Sequence, residues 1–206
     1  MKNILFFIML IPCSVFAQFD STSSYYTNAG MSFPSSPDNF SNYWNPGFNL
    51  GVGLNTLLTG QFFLQGDFCY HHFGFNKDNF LRNNGVYGYD IQVDGGSAWA
   101  LNFSINGRMM LNSNPKEISP YLIAGVGLAK ISESDLVATY QGVSERAVGI
   151  SETDLSAGEG GGILFPYGKR NNFFIDLRYM TVFANSDNIS SIVLRFGISM
   201  PIINDD

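Results

Sequence analysis

Along most of this chain, apolar and polar side chains alternate one for one. In "SAWALNFSINGRMML" (97–111), Trp99, Leu101, Phe103, Ile105, Met109 and Leu111 share one parity, while Ala100, Asn102, Ser104, Asn106 and Arg108 share the other. A period of two marks a β-strand with one greasy and one polar face. The same alternation runs through 25–33, 48–54, 62–70, 122–128, 173–179 and 192–200. With the glycine-rich "LSAGEGGGILF" (155–165), whose parity is ambiguous, eight strands are predicted. Most run to about ten residues. That exceeds the roughly five or six of an ordinary sheet and matches the ~9–11 that a tilted strand needs to cross a bilayer. No segment after Gln18 shows a helical period.

The connections alternate in length. "TLLT" (56–59), "NSNPKE" (112–117) and "YGKRN" (167–171) are tight and rich in turn formers, whereas 34–45, 76–96 and 132–153 are long; the last, "NSDN" (185–188), is short. Short turns on one rim and long loops on the other is the arrangement of bacterial outer-membrane barrels.

Composition sharpens this. Charged residues make up only 14% and aromatics 15%, against roughly 25% charged in an ordinary soluble domain. The first 17 residues, "MKNILFFIMLIPCSVFA", carry Lys2, an apolar stretch and small residues before Gln18, which predicts a signal peptide (1–17) and a single mature domain (18–206). Lipoprotein processing at Cys13 is disfavoured, because Pro12 stands where a small residue is needed. Cleavage removes Lys2 and Cys13, leaving 10 basic and 17 acidic residues, net −7. That excess of acid disfavours nucleic acid as a partner. Cys69 is then the single cysteine, so no internal disulfide forms.

Charges in mid-strand decide which face meets what. Asp67, Arg108, Asp176, Arg178 and Arg195 fall on the polar parity. Glu159 shares parity with Leu155 and Ile163 under strict alternation, and a bulge in the glycine run would turn it inward. An eight-stranded lumen is narrow and suits the Gly, Ser, Asn and Ala of the polar set, not the Phe, Leu and Ile of the other. The apolar face is therefore expected outward in lipid, with Asp67, Arg108, Glu159, Asp176, Arg178 and Arg195 as a lumen charge cluster whose members pair. Tyr25, Phe33, Phe48, Phe62, Trp99, Phe173, Tyr179 and Phe183 are candidates for interfacial girdles.

"SPYLIAGVGLA" (119–129), "SAGEGGGILFP" (156–166) and "FFIDLRYM" (173–180) resemble the Pro-Tyr…Gly-x-Gly, glycine-rich and acid-x-Arg-Tyr strands of the small eight-stranded outer-membrane β-barrels. That group includes the OmpA transmembrane domain and OmpX. The resemblance covers essentially the whole mature chain. It implies an antiparallel up-and-down barrel in the outer membrane of a Gram-negative cell, surrounded by outer-membrane lipid and lipopolysaccharide. It does not imply one function, since the architecture hosts adhesins, structural proteins and lipid A-modifying enzymes.

Candidate chemistry is sparse. "GEGGG" (158–162) leads into a strand where a phosphate loop would open a helix, and Arg170 stands where that motif has Ser or Thr. Asp67, Cys69 and His71 share a face, about 6.6 Å apart in succession, too far for one metal ion without a neighbouring strand. A serine-type lipid A deacylase needs Ser, His and an acid together, and neither His71 nor His72 stands in such a motif. We therefore expect no catalytic residues, cofactor or metal. The loops offer Tyr43, Trp44, Phe80, Tyr87 and Tyr89 as contacts for a protein or glycan partner. The expected role is structural or surface-interacting. The alternatives are a small porin-like conduit, a lipid A-modifying enzyme and a soluble lipocalin-like barrel.

Overall fold

The computed structural model describes residues 23–112, 114, 117–167, 171–184 and 187–202; the expected signal peptide lies outside them. Eight long antiparallel strands form the wall: β1 (Ser23–Ser36), β2 (Gly47–Thr59), β3 (Phe62–Gly74), β5 (Ser97–Met110), β6 (Ser119–Glu133), β9 (Ser151–Tyr167), β10 (Asn171–Val182) and β11 (Ile189–Pro201). Each pairs with its chain neighbour, and β1 pairs with β11 to close the barrel. Closure leaves no unpaired edge along the wall.

The alternation in the sequence becomes a difference between inside and outside. Phe103 and Phe196 are 52% and 50% exposed, whereas Arg108 and Arg195 are 6% and 2% exposed. Leu50, Val52, Phe68, Val126, Leu128 and Leu177 also lie on the outer wall. Rings gather at both ends of it. Tyr167 and Phe173 pack at 4.9 Å near the short turns, and Phe48 packs on His72 at 5.3 Å near the long loops.

The lumen is layered. At the short-turn end Met110, Tyr121, Ile123 and Leu164 pack together with Phe63. At the loop end Phe40, Phe73 and Ala98 pack with Trp44 and Ile189. Between these apolar plugs lie buried polar and charged side chains. Inward glycines of β9 make the room. A Cβ on Gly162 would stand 2.5 Å from the Tyr121 ring and 2.6 Å from Asp176 Cβ. Gly162 is thus the space that Tyr121 fills.

The structure departs from the sequence reading in four places. The segment "TLLT" belongs to β2, and the turn is Gly60-Gln61, with Gly60 at φ +54. Two short helices form in the first two long connections, α1 (Asp38–Tyr43) and α2 (Lys77–Asn83); at six and seven residues they are too short to print a period. The second and third connections also contribute β4 (Ile91–Gly95), β7 (Leu136–Tyr140) and β8 (Val143–Ala147), which pair as a separate three-stranded sheet. The β7–β8 hairpin turns on Gln141 and Gly142, both at positive φ, as a two-residue primed turn requires. Finally, β9 holds unbroken alternation from Ser151 to Tyr167, with no bulge in either pairing.

If Gly162 is the space for Tyr121, Gly162→Val should lower the thermal midpoint of the detergent-folded barrel, by roughly 1–3 kcal/mol of overpacking. Gly66→Ala, which meets nothing within 4 Å, should leave heat-modifiable gel mobility unchanged.

Candidate functional site

Four charges meet at the centre of the lumen, delivered by three strands. Asp67 comes from β3, Asp176 and Arg178 from β10, and Arg195 from β11. Asp176 and Arg195 are register partners across β10–β11, while Asp67 faces them across the bore. Arg195 donates from Nη1 to Asp67 Oδ2 at 2.6 Å, from Nη2 to Asp176 Oδ2 at 2.7 Å and from Nε to Asp176 Oδ1 at 2.8 Å. Arg178 donates to Asp67 Oδ2 at 3.1 Å and to Asp176 Oδ2 at 3.0 Å. Tyr121 donates its hydroxyl to Asp176 Oδ2 at 3.1 Å. Two cations and two anions thus neutralise one another where each is almost fully buried. Buried ions persist only when paired and hydrogen-bonded in this way.

The other two charges of the expected cluster lie elsewhere. Arg108 points inward but joins no ion pair among the described residues. Its guanidinium sits 4.9 Å from the Phe63 ring centroid and 5.2 Å from that of Tyr121, a cation–π seat beside the lower apolar plug. Glu159 does not face the lumen. It is exposed on the outer wall, opposite Tyr179 on β10 and Ala124 on β6. The alternation of β9 is unbroken, so the bulge that would have turned it inward does not occur.

Sequence reasoning missed the polar partners that β1, β2 and β3, side by side in the wall, bring together inside the lumen. Ser32 Oγ lies 2.8 Å from His71 Nδ1 and accepts from Asn49 Nδ2 at 3.1 Å. Gln65 donates to the Tyr26 hydroxyl at 2.6 Å. Each residue carried the right parity, but pairing across a barrel depends on register, which parity alone does not reveal. Asp67, Cys69 and His71 all enter the lumen and serve separate neighbours: Asp67 the arginines, His71 Ser32. A cavity of about 20 Å³ adjoins Asp67, Asn102 and Ser104, room for about one water.

Of the five candidate loop contacts, three pack on one another or on a common ring. Tyr43 meets Phe80 at 5.4 Å, Phe75 meets Phe80 at 5.4 Å and Trp44 meets Phe75 at 5.6 Å. Asn79 adds a bond to the Asn42 carbonyl at 3.2 Å. This cluster ties α1 to α2 over the barrel mouth. Tyr87 and Tyr89 remain open, at 54% and 60% exposed, with Arg82 stacked on Tyr87 at 4.6 Å and Tyr89 edge-on to Tyr140 at 6.3 Å. Beyond β6, Asp135 accepts from the Gly149 N–H at 2.7 Å and pairs with Arg146. The Gly149 amide and then Arg146 hold its carboxyl below the usual aspartate range.

No family model matches the sequence, and no curated protein matches it. Solved structures do match. The chain aligns with Neisserial surface protein A (NspA) over 88% of its length and 98% of that protein, at TM-score 0.59 and 14% identity. It aligns with OprG, an outer membrane protein of Pseudomonas aeruginosa, over 91% and 99%, at TM-score 0.53 and 8% identity. It aligns with Ail, the attachment invasion locus protein of Yersinia pestis, over 88% and 100%, at TM-score 0.51 and 19% identity. This chain has the fold of the small eight-stranded outer-membrane barrels. At such identities what is shared is the barrel itself, with its eight antiparallel strands. The residues that fill the lumen and the loops above it are read from this chain alone.

Arg195→Ala should strip Asp67 and Asp176 of their shortest bonds and destabilise the detergent-folded barrel by about 3–5 kcal/mol, measured as a fall in the urea midpoint of the gel-shift transition. Arg108→Met, which exchanges a cation for an apolar chain between two rings, should cost less than half of that. In the loops, a depressed carboxyl stabilises above its unfolded pKa and loses that contribution as pH falls through the folded value. Protection of the Gly149 amide against hydrogen exchange, relative to the free-peptide rate at each pH, should therefore persist as pH falls to about 3.9, the ordinary aspartate value, and be lost only as pH falls further, through the lower folded value. Asp135→Asn should exchange faster at neutral pH.

Proposed function

We propose that this chain is an integral protein of a Gram-negative outer membrane. In this reading it is exported by a cleaved segment 1–17 and serves as a rigid anchor that holds a surface platform outside the cell. The observation that carries this reading is the inverted wall: phenylalanine and leucine out, arginine and aspartate in. Such a surface would aggregate in water and is satisfied by hydrocarbon. Its immediate partners are outer-membrane lipid and lipopolysaccharide. The loop sheet of β4, β7 and β8, with Tyr87, Tyr89 and Tyr140 exposed, is the part that offers contact to a protein or glycan.

The three other readings each meet an opposing observation. A porin-like conduit would need an open bore, whereas apolar clusters fill both ends and the charges between them hold one another. A lipid A-modifying enzyme would need accessible chemistry. His72 lies in a ring stack with Phe48 and Tyr70. His71 and Ser32, though in contact, are 3% and 0% exposed beneath Phe73 and Phe40. A soluble binding barrel would carry its apolar residues inside.

Fractionation of a Gram-negative host expressing the full chain should place the mature protein in the detergent-extracted outer membrane, and planar bilayers should show no steady conductance. Recovery in the aqueous fraction would end this reading. Val126→Arg, on the outer wall, should cost about 2–4 kcal/mol of folding stability in lipid.

A further inference from the structure

Among the described residues, only two charged side chains of the barrel strands face outward. Lys130 lies near the loop end and rests against the Trp99 ring at 5.8 Å, as an interfacial lysine does. Glu159 has no such excuse. On its own face of β9 it lies between Leu155 on the loop side and Ile163 and Phe165 on the turn side, so it sits within the apolar band. It makes no hydrogen bond or ion pair among the described residues. An ionisable side chain facing lipid is costly and marks a site that something else completes.

The surroundings of Glu159 are also unusual. A groove of about 1010 Å³ crosses the outer wall here. The small residues Gly107, Ala124 and Gly161 line it together with Leu122 and Leu177. Small residues on a membrane wall allow a partner backbone to come close. The cross-strand neighbour of Glu159 on this face is Tyr179, whose hydroxyl is likewise without a partner among the described residues. An acceptor and a donor thus stand side by side on adjacent strands.

That pairing is self-complementary. A two-fold axis along the membrane normal, passing between β9 and β10, exchanges left for right on the facing copy. Glu159 of one copy then meets Tyr179 of the other, and the reverse holds at the same time, as an isologous contact requires. We propose that the groove around Glu159 is the interface of a homodimer within the membrane, closed by two reciprocal hydrogen bonds from Tyr179 hydroxyls to Glu159 carboxyls. Any other occupant would need to bring its own donor to this depth; a second copy carries one already. The proposal rests on the outer-membrane reading given above.

Ala157→Cys, beside Glu159 on the same face, tests it in membranes of cells expressing the full chain with Cys69→Ser. The axis sets the two β9 strands about one strand spacing apart, so a short bis-maleimide that bridges thiols about 8–13 Å apart, beyond the reach of a disulfide, should yield a species of twice the mass, and Val52→Cys, on another part of the wall, should not. Glu159→Leu and Tyr179→Phe each remove both reciprocal bonds, since every copy carries the change, and should each weaken dimerisation about a hundredfold or more, the scale of two lost hydrogen bonds to charged groups. Sedimentation equilibrium in detergent would read this change, and Glu159→Gln should retain most of the association. Heat-modifiable mobility of Glu159→Leu should match the parent, because the substitution removes a polar group from lipid and touches no lumen residue. A membrane-bound monomer, cross-linking that both substitutions leave unchanged, or a cross-link only to a different protein or to lipid would overturn the dimer while leaving the membrane reading intact. A chain found in the aqueous fraction would overturn both.

Discussion

Two arginines and two aspartates, held within hydrogen-bond reach at the centre of a closed wall, set the terms for the rest of the molecule. Their mutual neutrality allows polar residues to fill a narrow lumen without water around them. Once the polar parity of each strand is committed to that interior, the other parity has to face outward. The wall is then oily over most of its girth, Glu159 and Lys130 apart, and closure of β1 on β11 removes the edge that hydrocarbon would not tolerate. Interior pairing and exterior solvent are therefore two sides of one constraint.

The same constraint explains why the interior is layered. Arg178 and Arg195 need aspartates from opposite sides of the bore, so β3 has to lie across from β10 and β11 at a fixed register. The glycines of β9 clear the volume that Tyr121 and Arg178 enter. Apolar clusters at both ends then shield the charged layer from bulk water, which strengthens the bonds inside it. Arg108 sits outside this arrangement, seated on Phe63 and Tyr121, where aromatic faces rather than a carboxylate receive the cation.

Much of this was legible in the sequence, for a physical reason. Where one face meets hydrocarbon and the other a polar core, alternation is written plainly, as in 97–111 and 192–200. It fades in β9, because glycine belongs to either face, and the position of Glu159 was open for that reason. The loop helices and the β4–β7–β8 sheet were not legible, because segments of five to seven exposed residues carry no period. The lumen charges were identifiable by parity, but their partners were not, since contact across a barrel depends on stagger between strands. Tyr43, Trp44 and Phe80 stood out as aromatics in loops, yet they are bound up in fastening α1 to α2, which leaves Tyr87 and Tyr89 as the open rings of that set.

The most direct measurement is a nitroxide scan along β5 in lipid bilayers, one label at each position from Ala98 to Met110. The inverted wall predicts a two-residue period in collision with dissolved oxygen, high at Leu101, Phe103 and Ile105 and low at Asn102, Ser104 and Asn106. A scan with the opposite phase, or labels at Phe103 and Ile105 that meet a water-soluble relaxant as freely as loop positions do, would contradict the account.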